Sequence, residues 1–181
     1  MRSGLAVLAL AGVFAQAAWA QAPAKLPDAA ASDPVALGWM QGFPPLPDKT
    51  VRIADGSSWK FPQIRWAFSH FRELGPTVNV WRGEGKASEL PRAERKDLDG
   101  VGFTTLDGRP MTWAQSLDAN YTDGVIVLHK GKVVYEKYFG ALEAHRPHVL
   151  MSVTKSFVGT LAAMQVHEGK LDPNALVTRY V

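Results

Sequence analysis

Cysteine is absent from all 181 positions. That excludes disulfides and thiolate metal sites, so an exported chain of this kind must be held by a hydrophobic core. A basic stripe is missing too. Twenty Lys and Arg stand against 17 Asp and Glu, a formal charge of +3, and the positive residues are not gathered in one run, which argues against a nucleic-acid partner. There is no apolar run of spanning length: residues 5–15 are hydrophobic but too short to cross a bilayer. A metal-ligand set is also lacking. His145 and His148 are three apart, but they share a loop with Arg146-Pro147 and have no third ligand, so solvated loop histidines are expected. No metal or cofactor is implied, and His129 and His167 read as ordinary surface residues.

What is present begins with a leader. Residues 1–20 have the pattern of a secretory signal peptide: Arg2, the apolar run, and a small-x-small site at Ala18-Trp19-Ala20 before Gln21. Its removal lowers the formal charge from +3 to +2, because Arg2 is its one charged residue. The expectation is an exported protein, periplasmic or secreted, with no stable membrane span after cleavage. Residues 21–58 form a lead-in rich in Ala, Pro and Asp. Phe43-Pro44-Pro45-Leu46-Pro47 marks it as an extended spacer, poorly ordered at its start.

Residues 59–74 are dense in aromatics. Pro62 suits a first turn, and Phe61, Ile64, Phe68 and Phe71 fall at helical spacing, predicting a short amphipathic packing helix that ends before Pro76. His70 and Arg72 fall on its other faces. Residues 78–102 interleave charges of both signs, as a solvated surface segment does. Residues 103–111, with Asp107-Gly108-Arg109-Pro110, read as a turn region, and 113–119 as a further short helix. Residues 124–139 give the clearest strand signal: Val125-Ile126-Val127-Leu128, a turn at Lys130-Gly131-Lys132, and a return strand over 133–139. The apolar first strand requires other elements to cover both faces.

The chain is organised around residues 148–169. Ser152 is placed to cap a helix, and Lys155 follows three positions later on the same face. A serine hydroxyl becomes a useful nucleophile when a neighbouring base takes its proton, and a lysine amine at this spacing can reach it. The helix is apolar almost all round, with Val153, Phe157, Val158, Leu161, Ala162, Ala163, Met164 and Val166, as in a helix buried in a larger body. The Ser152 amide, at the helix mouth, is a candidate oxyanion donor. The S-x-x-K pattern alone is weak. Ser57-Ser58-Trp59-Lys60 repeats it, but Asp55-Gly56 before and Phe61-Pro62 after make a helix there unfavourable. The competing reading of Ser152 is an ordinary N-cap on a core helix beside a snorkelling lysine.

The succession of hairpin, loop, Leu150-Met151-Ser152-Val153-Thr154-Lys155-Ser156, apolar helix and Glu168-Gly169-Lys170-Leu171-Asp172-Pro173 resembles the opening of the β-lactamase-related serine hydrolases, the class C β-lactamase and penicillin-recognising group. Within that group it is most similar to the 6-aminohexanoate-dimer (nylon-oligomer) hydrolases, through Arg65-Trp66-Ala67-Phe68-Ser69-His70, Tyr121-Thr122-Asp123 and the Ser152 segment. The resemblance implies an α+β fold in which helices flank an antiparallel sheet, with the hairpin as its first two strands. It implies Ser152 as nucleophile and Lys155 as its proton-transfer partner. The substrate class it implies is a small-molecule amide, ester or β-lactam.

The family's Tyr-x-Asn-like motif and its later strand motif have no counterpart here. Tyr121, Tyr135, Tyr138 and Tyr180 all lie in the wrong context. Residues 59–181 are therefore expected to be the N-terminal portion of a longer hydrolase domain, with apolar surface left open. Two other readings stay in play: a non-catalytic protein of the same fold that binds peptides or cell-wall fragments, and an inactive remnant. Oligomeric state is not legible.

Overall fold

A computed structural model describes residues 25–181. The signal peptide expected at 1–20 and the first residues of the lead-in lie outside them. Among the described residues no helix is long and apolar enough to cross a membrane.

From Asp28 onward the lead-in is a chain of turns, not an extended spacer. Asp28 and Asp33 accept hydrogen bonds from the backbone of Ala31, Val35 and Ala36, the local side-chain bonding that makes Asp a turn residue. These turns carry Trp39 and Val51 into the core, where they meet Trp66, Ala67 and Ala141. The lead-in supplies this core, whereas Val78, Val80 and Trp81, just after the aromatic helix, stay exposed.

That helix, α1, spans Ile64–Leu74, with a departure from helical geometry at His70. Its buried residues are Arg65, Trp66, Ala67 and Ser69, whereas Phe61, Ile64, Phe68 and Phe71 are half-buried. The expected helix exists, but its buried face is rotated from the one its phenylalanines suggest. The Arg65 guanidinium explains the rotation, because it is drawn inward by polar partners described below.

Residues 102–112 hold more order than a turn region. Strands β1 (Gly102–Thr104) and β2 (Pro110–Thr112) pair antiparallel around Gly108. Helix α2, Trp113–Ala119, follows directly. Thr112 accepts from the Gln115 amide while the Gln115 side chain accepts from the Thr112 amide, a capping box that fixes where the helix starts.

The second hairpin pairs β3 (Gly124–His129) with β4 (Lys132–Tyr138), Gly124 opposite Tyr138 and His129 opposite Lys132, with an irregularity between Val127 and Leu128. Lys130 and Gly131 both have positive φ, the conformation a tight two-residue hairpin turn requires. Val133, Val134 and Tyr135 are buried. Trp113 packs edge-on against Tyr135, and residues 91–95 bond along β4 through Pro91 O, Ala93 N and Arg95 N. The charge-rich segment is solvated, and residues 91–95 stay exposed even where their backbone bonds to β4. Cover comes to β4 and not to β3, whose Ile126 and Leu128 remain exposed.

Helix α3, Thr154–His167, has no buried residue. Phe157, Val158 and Leu161 are each about 60% exposed (61%, 61% and 60%). The sequence led us to expect a core helix; here its apolar surface is open, because the described residues place no element against it. The architecture is α+β, helices with small antiparallel sheets.

Candidate active site

Ser152 sits one step ahead of α3, in a short 3-10 turn over Met151–Val153. The helix N-cap is Val153, without a side-chain cap, so the expectation of Ser152 as the capping residue is corrected. Its hydroxyl is directed instead to the lysine: Lys155 Nζ donates to Ser152 Oγ at 3.2 Å. Positions 152 and 155 meet because the turn runs straight into helical geometry, which stacks residues three apart. Both side chains are exposed. Met151, immediately before the serine, has φ of 48°, a left-handed conformation that costs a non-glycine residue about 1–3 kcal/mol and persists only where its surroundings over-determine it.

The surroundings that hold this approach are polar. Val149 N–H donates to Phe68 O at 2.9 Å, fastening the loop to α1. The His148 ring packs edge-on against Phe68, with centroids 5.8 Å apart. Its Nε2 is 3.2 Å from Asp123 Oδ2 and its Nδ1 2.9 Å from Val149 O. Asp123 Oδ1 in turn faces Arg65 Nη2 at 3.6 Å, with the two side chains only 12% and 5% exposed. Arg65 Nη1 donates to Ala29 O at 2.7 Å and to Ser32 Oγ at 2.9 Å. The Asp123 carboxylate, hydrogen-bonded to the ring, raises the His148 pKa above its ordinary value, with burial opposing it. His148 is therefore not a solvated loop histidine, whereas His145 is exposed and pairs with Glu143.

Tyr121, two residues before Asp123, also has positive φ. Its hydroxyl donates to Pro27 O at 2.8 Å, and its ring lies 5.8 Å from the Arg65 guanidinium. The other tyrosine hydroxyls are engaged elsewhere as well: Tyr135 with Asp99, Tyr138 with Glu136, Tyr180 with the Asp172 amide. All four are thus occupied away from Ser152. Ser57 is likewise committed, accepting from Arg52 N and donating to Arg52 O, so the second S-x-x-K match is a turn. Among the described residues no group of three or more His, Asp or Glu is placed to hold a metal.

Arg65, Asp123 and His148 escaped functional assignment from the sequence. The available signal was that Arg65 and Asp123 lie in two of the segments that carried the family resemblance. Those segments meet in space just ahead of the third, which contains Ser152.

Residues 114–181 match the model of the β-lactamase family. The chain is 31% identical over 161 residues to a 6-aminohexanoate-dimer hydrolase of Paenarthrobacter ureafaciens, covering 89% of this chain and 34% of that protein. A solved structure from Bacillus anthracis, provisionally assigned as a 6-aminohexanoate-dimer hydrolase, superposes with a TM-score of 0.62 at 27% identity, covering 68% of this chain and 31% of that one. The chain thus spans about one third of the length of the curated relative it matches. The likeness to the β-lactamase-related hydrolases, and the fold that goes with it, are shown.

Proposed function

We propose that this chain, β-lactamase-family sequence over residues 114–181, carries the nucleophile of an exported serine hydrolase that cleaves an amide or ester bond through an acyl-serine intermediate. The observation that carries the reading is the 3.2 Å approach of Lys155 Nζ to Ser152 Oγ at the head of α3.

The chemistry follows from that pair. With its amine neutral, Lys155 accepts the Ser152 proton as Oγ bonds to the substrate carbonyl carbon. The Ser152 amide is the donor assigned to the developing oxyanion. Collapse breaks the carbon–nitrogen or carbon–oxygen bond, and the leaving group departs with the proton that Lys155 returns. Water then attacks the acyl ester, releasing the carboxylic acid and restoring the serine hydroxyl. The names of the relatives favour a linear amide between 6-aminohexanoate units as the substrate class; a small carboxyl ester or a β-lactam has the same reacting carbonyl.

The test is intact-protein mass spectrometry after exposure to a fluorophosphonate. A single adduct on the chain, absent from Ser152→Ala and slowed roughly 10²-fold or more in Lys155→Ala, is the expected result. A folded chain that takes up no probe, or takes it up equally in Ser152→Ala, would overturn the assignment and leave the non-catalytic binding reading ahead.

A further inference from the structure

We propose that Asp123 and His148, backed by Arg65, are positioning residues that set the backbone entering the Met151–Val153 turn and so hold Ser152 within reach of Lys155. This rests on the assignment of Ser152 as the nucleophile.

Three observations carry it. The two ring nitrogens of His148 both face acceptors, Asp123 Oδ2 and Val149 O. Donating to both requires two N–H groups, which only the protonated ring has. Val149 is also the residue whose amide pins the loop to Phe68 O, so its two backbone polar groups are held from opposite sides. Lastly, the restraint lies close to the serine in sequence: three residues separate His148 from Ser152, and one of them, Met151, sits in a strained conformation that needs external support.

The charges near the ring are few. From the segment before β3 comes Asp123, with Arg65 of α1 behind it at 3.6 Å. Phe68, the α1 residue against the ring, is apolar. Besides Asp123, the titratable residues that line the groove beside His148 are Tyr121 and Tyr138. On the histidine's own loop, His145 turns to Glu143, and Arg146 to Glu143 and His70. Asp123 is the group that sets the charge of His148. When the ring loses its proton, one of its two bonds is lost and the loop is freed on one side.

The test has two arms. In the first, NMR follows the His148 ring and the Val149 amide from about pH 5 to about pH 9. The ring is expected to titrate above the ordinary histidine value of about 6.5, to fall back in Asp123→Asn, and to take the Val149 amide with it, exchange speeding as the ring deprotonates. In the second arm, the rate of Ser152 labelling by a fluorophosphonate is measured over the same range. The wild type is expected to lose rate, or gain it less steeply, through the His148 titration. His148→Gln, which has one donor nitrogen in place of two and does not titrate, should lose that inflection and label roughly ten- to a hundredfold more slowly, with unchanged dependence on Lys155.

A purely structural histidine would lower stability but leave the shape of the labelling profile unmoved, and that result would overturn the proposal. If the wild type does not label at Ser152 at any pH, the nucleophile assignment fails. The first arm then decides alone: a ring titrating near its ordinary value, or a Val149 amide indifferent to it, refutes the coupling.

Discussion

Replacing Arg65 with methionine probes the buried charges directly. The substitution keeps most of the side-chain volume and removes a guanidinium that bonds to Ala29 O and Ser32 Oγ and faces Asp123. Removing one partner of a buried pair costs about 3–5 kcal/mol, because the charge left behind stays desolvated. Asp123 keeps His148 on its other oxygen, which places this site at the low end, about 3 kcal/mol. Ser32 Oγ still bonds to Asp28 O at 2.6 Å and remains satisfied. Ala29 O loses its guanidinium donor, adding about 1 kcal/mol. The expected loss is about 4 kcal/mol.

Urea unfolding at neutral pH measures it through Trp39 and Trp66, which are buried and report the core. The midpoint should move while the slope stays constant. Should Arg65→Met fail to fold, Arg65→Lys, which keeps the charge but reaches fewer acceptors, is expected to lose about half as much. Asp123→Asn combined with Arg65→Met should be less damaging than the two changes added, by at least about 0.5 kcal/mol. A loss under about 1 kcal/mol, as for an exposed pair, together with additive double-mutant behaviour would refute the claim that Arg65 neutralises a buried carboxylate.

Three further outcomes are expected. The His148 pKa is raised in the folded state, so its stabilising contribution is complete below the unfolded value and is lost as pH rises through the folded one; the stability gap between wild type and His148→Gln, read by urea titration, should close over that window. Thr112→Ala removes the acceptor of the Gln115 amide and should cost about 1 kcal/mol, visible as a lower urea midpoint. Phe157→Ser, at a side chain 61% exposed, should change stability by less than about 0.5 kcal/mol while reducing the binding of an apolar dye to α3.

Local signals in the sequence placed most elements. The short helix expected over 113–119 and the turn at Lys130-Gly131 are where the sequence put them, and the Ser152–Lys155 spacing brings those two side chains within 3.2 Å. Long-range partners were not legible. Nothing in the run 21–58 says that Trp39 and Val51 fill the space under α1, and nothing in a loop containing His148 says that an aspartate 25 residues earlier faces it. The rotation of α1 has the same origin: hydrophobic spacing ranks Phe61, Phe68 and Phe71 as core, but Arg65 has three polar partners inside, and satisfying them fixes which side turns inward.

The two apolar helices make the same point from opposite directions. Helix α1 is buried because the lead-in and Ala141 fold against it; α3, apolar almost all round, is buried by nothing among the described residues. Among the described residues, the position of Ser152 does not derive from packing of α3. It derives from the chain before it: Val149 held to Phe68, His148 held to Asp123, Asp123 facing Arg65, and Arg65 bonded to turns at Ala29 and Ser32. Each link is a hydrogen bond or an ion pair, and such contacts fix direction where apolar burial does not. The lead-in thus belongs to the site although none of its residues touches the serine, and the geometry of the proposed nucleophile is set some 120 residues upstream of it.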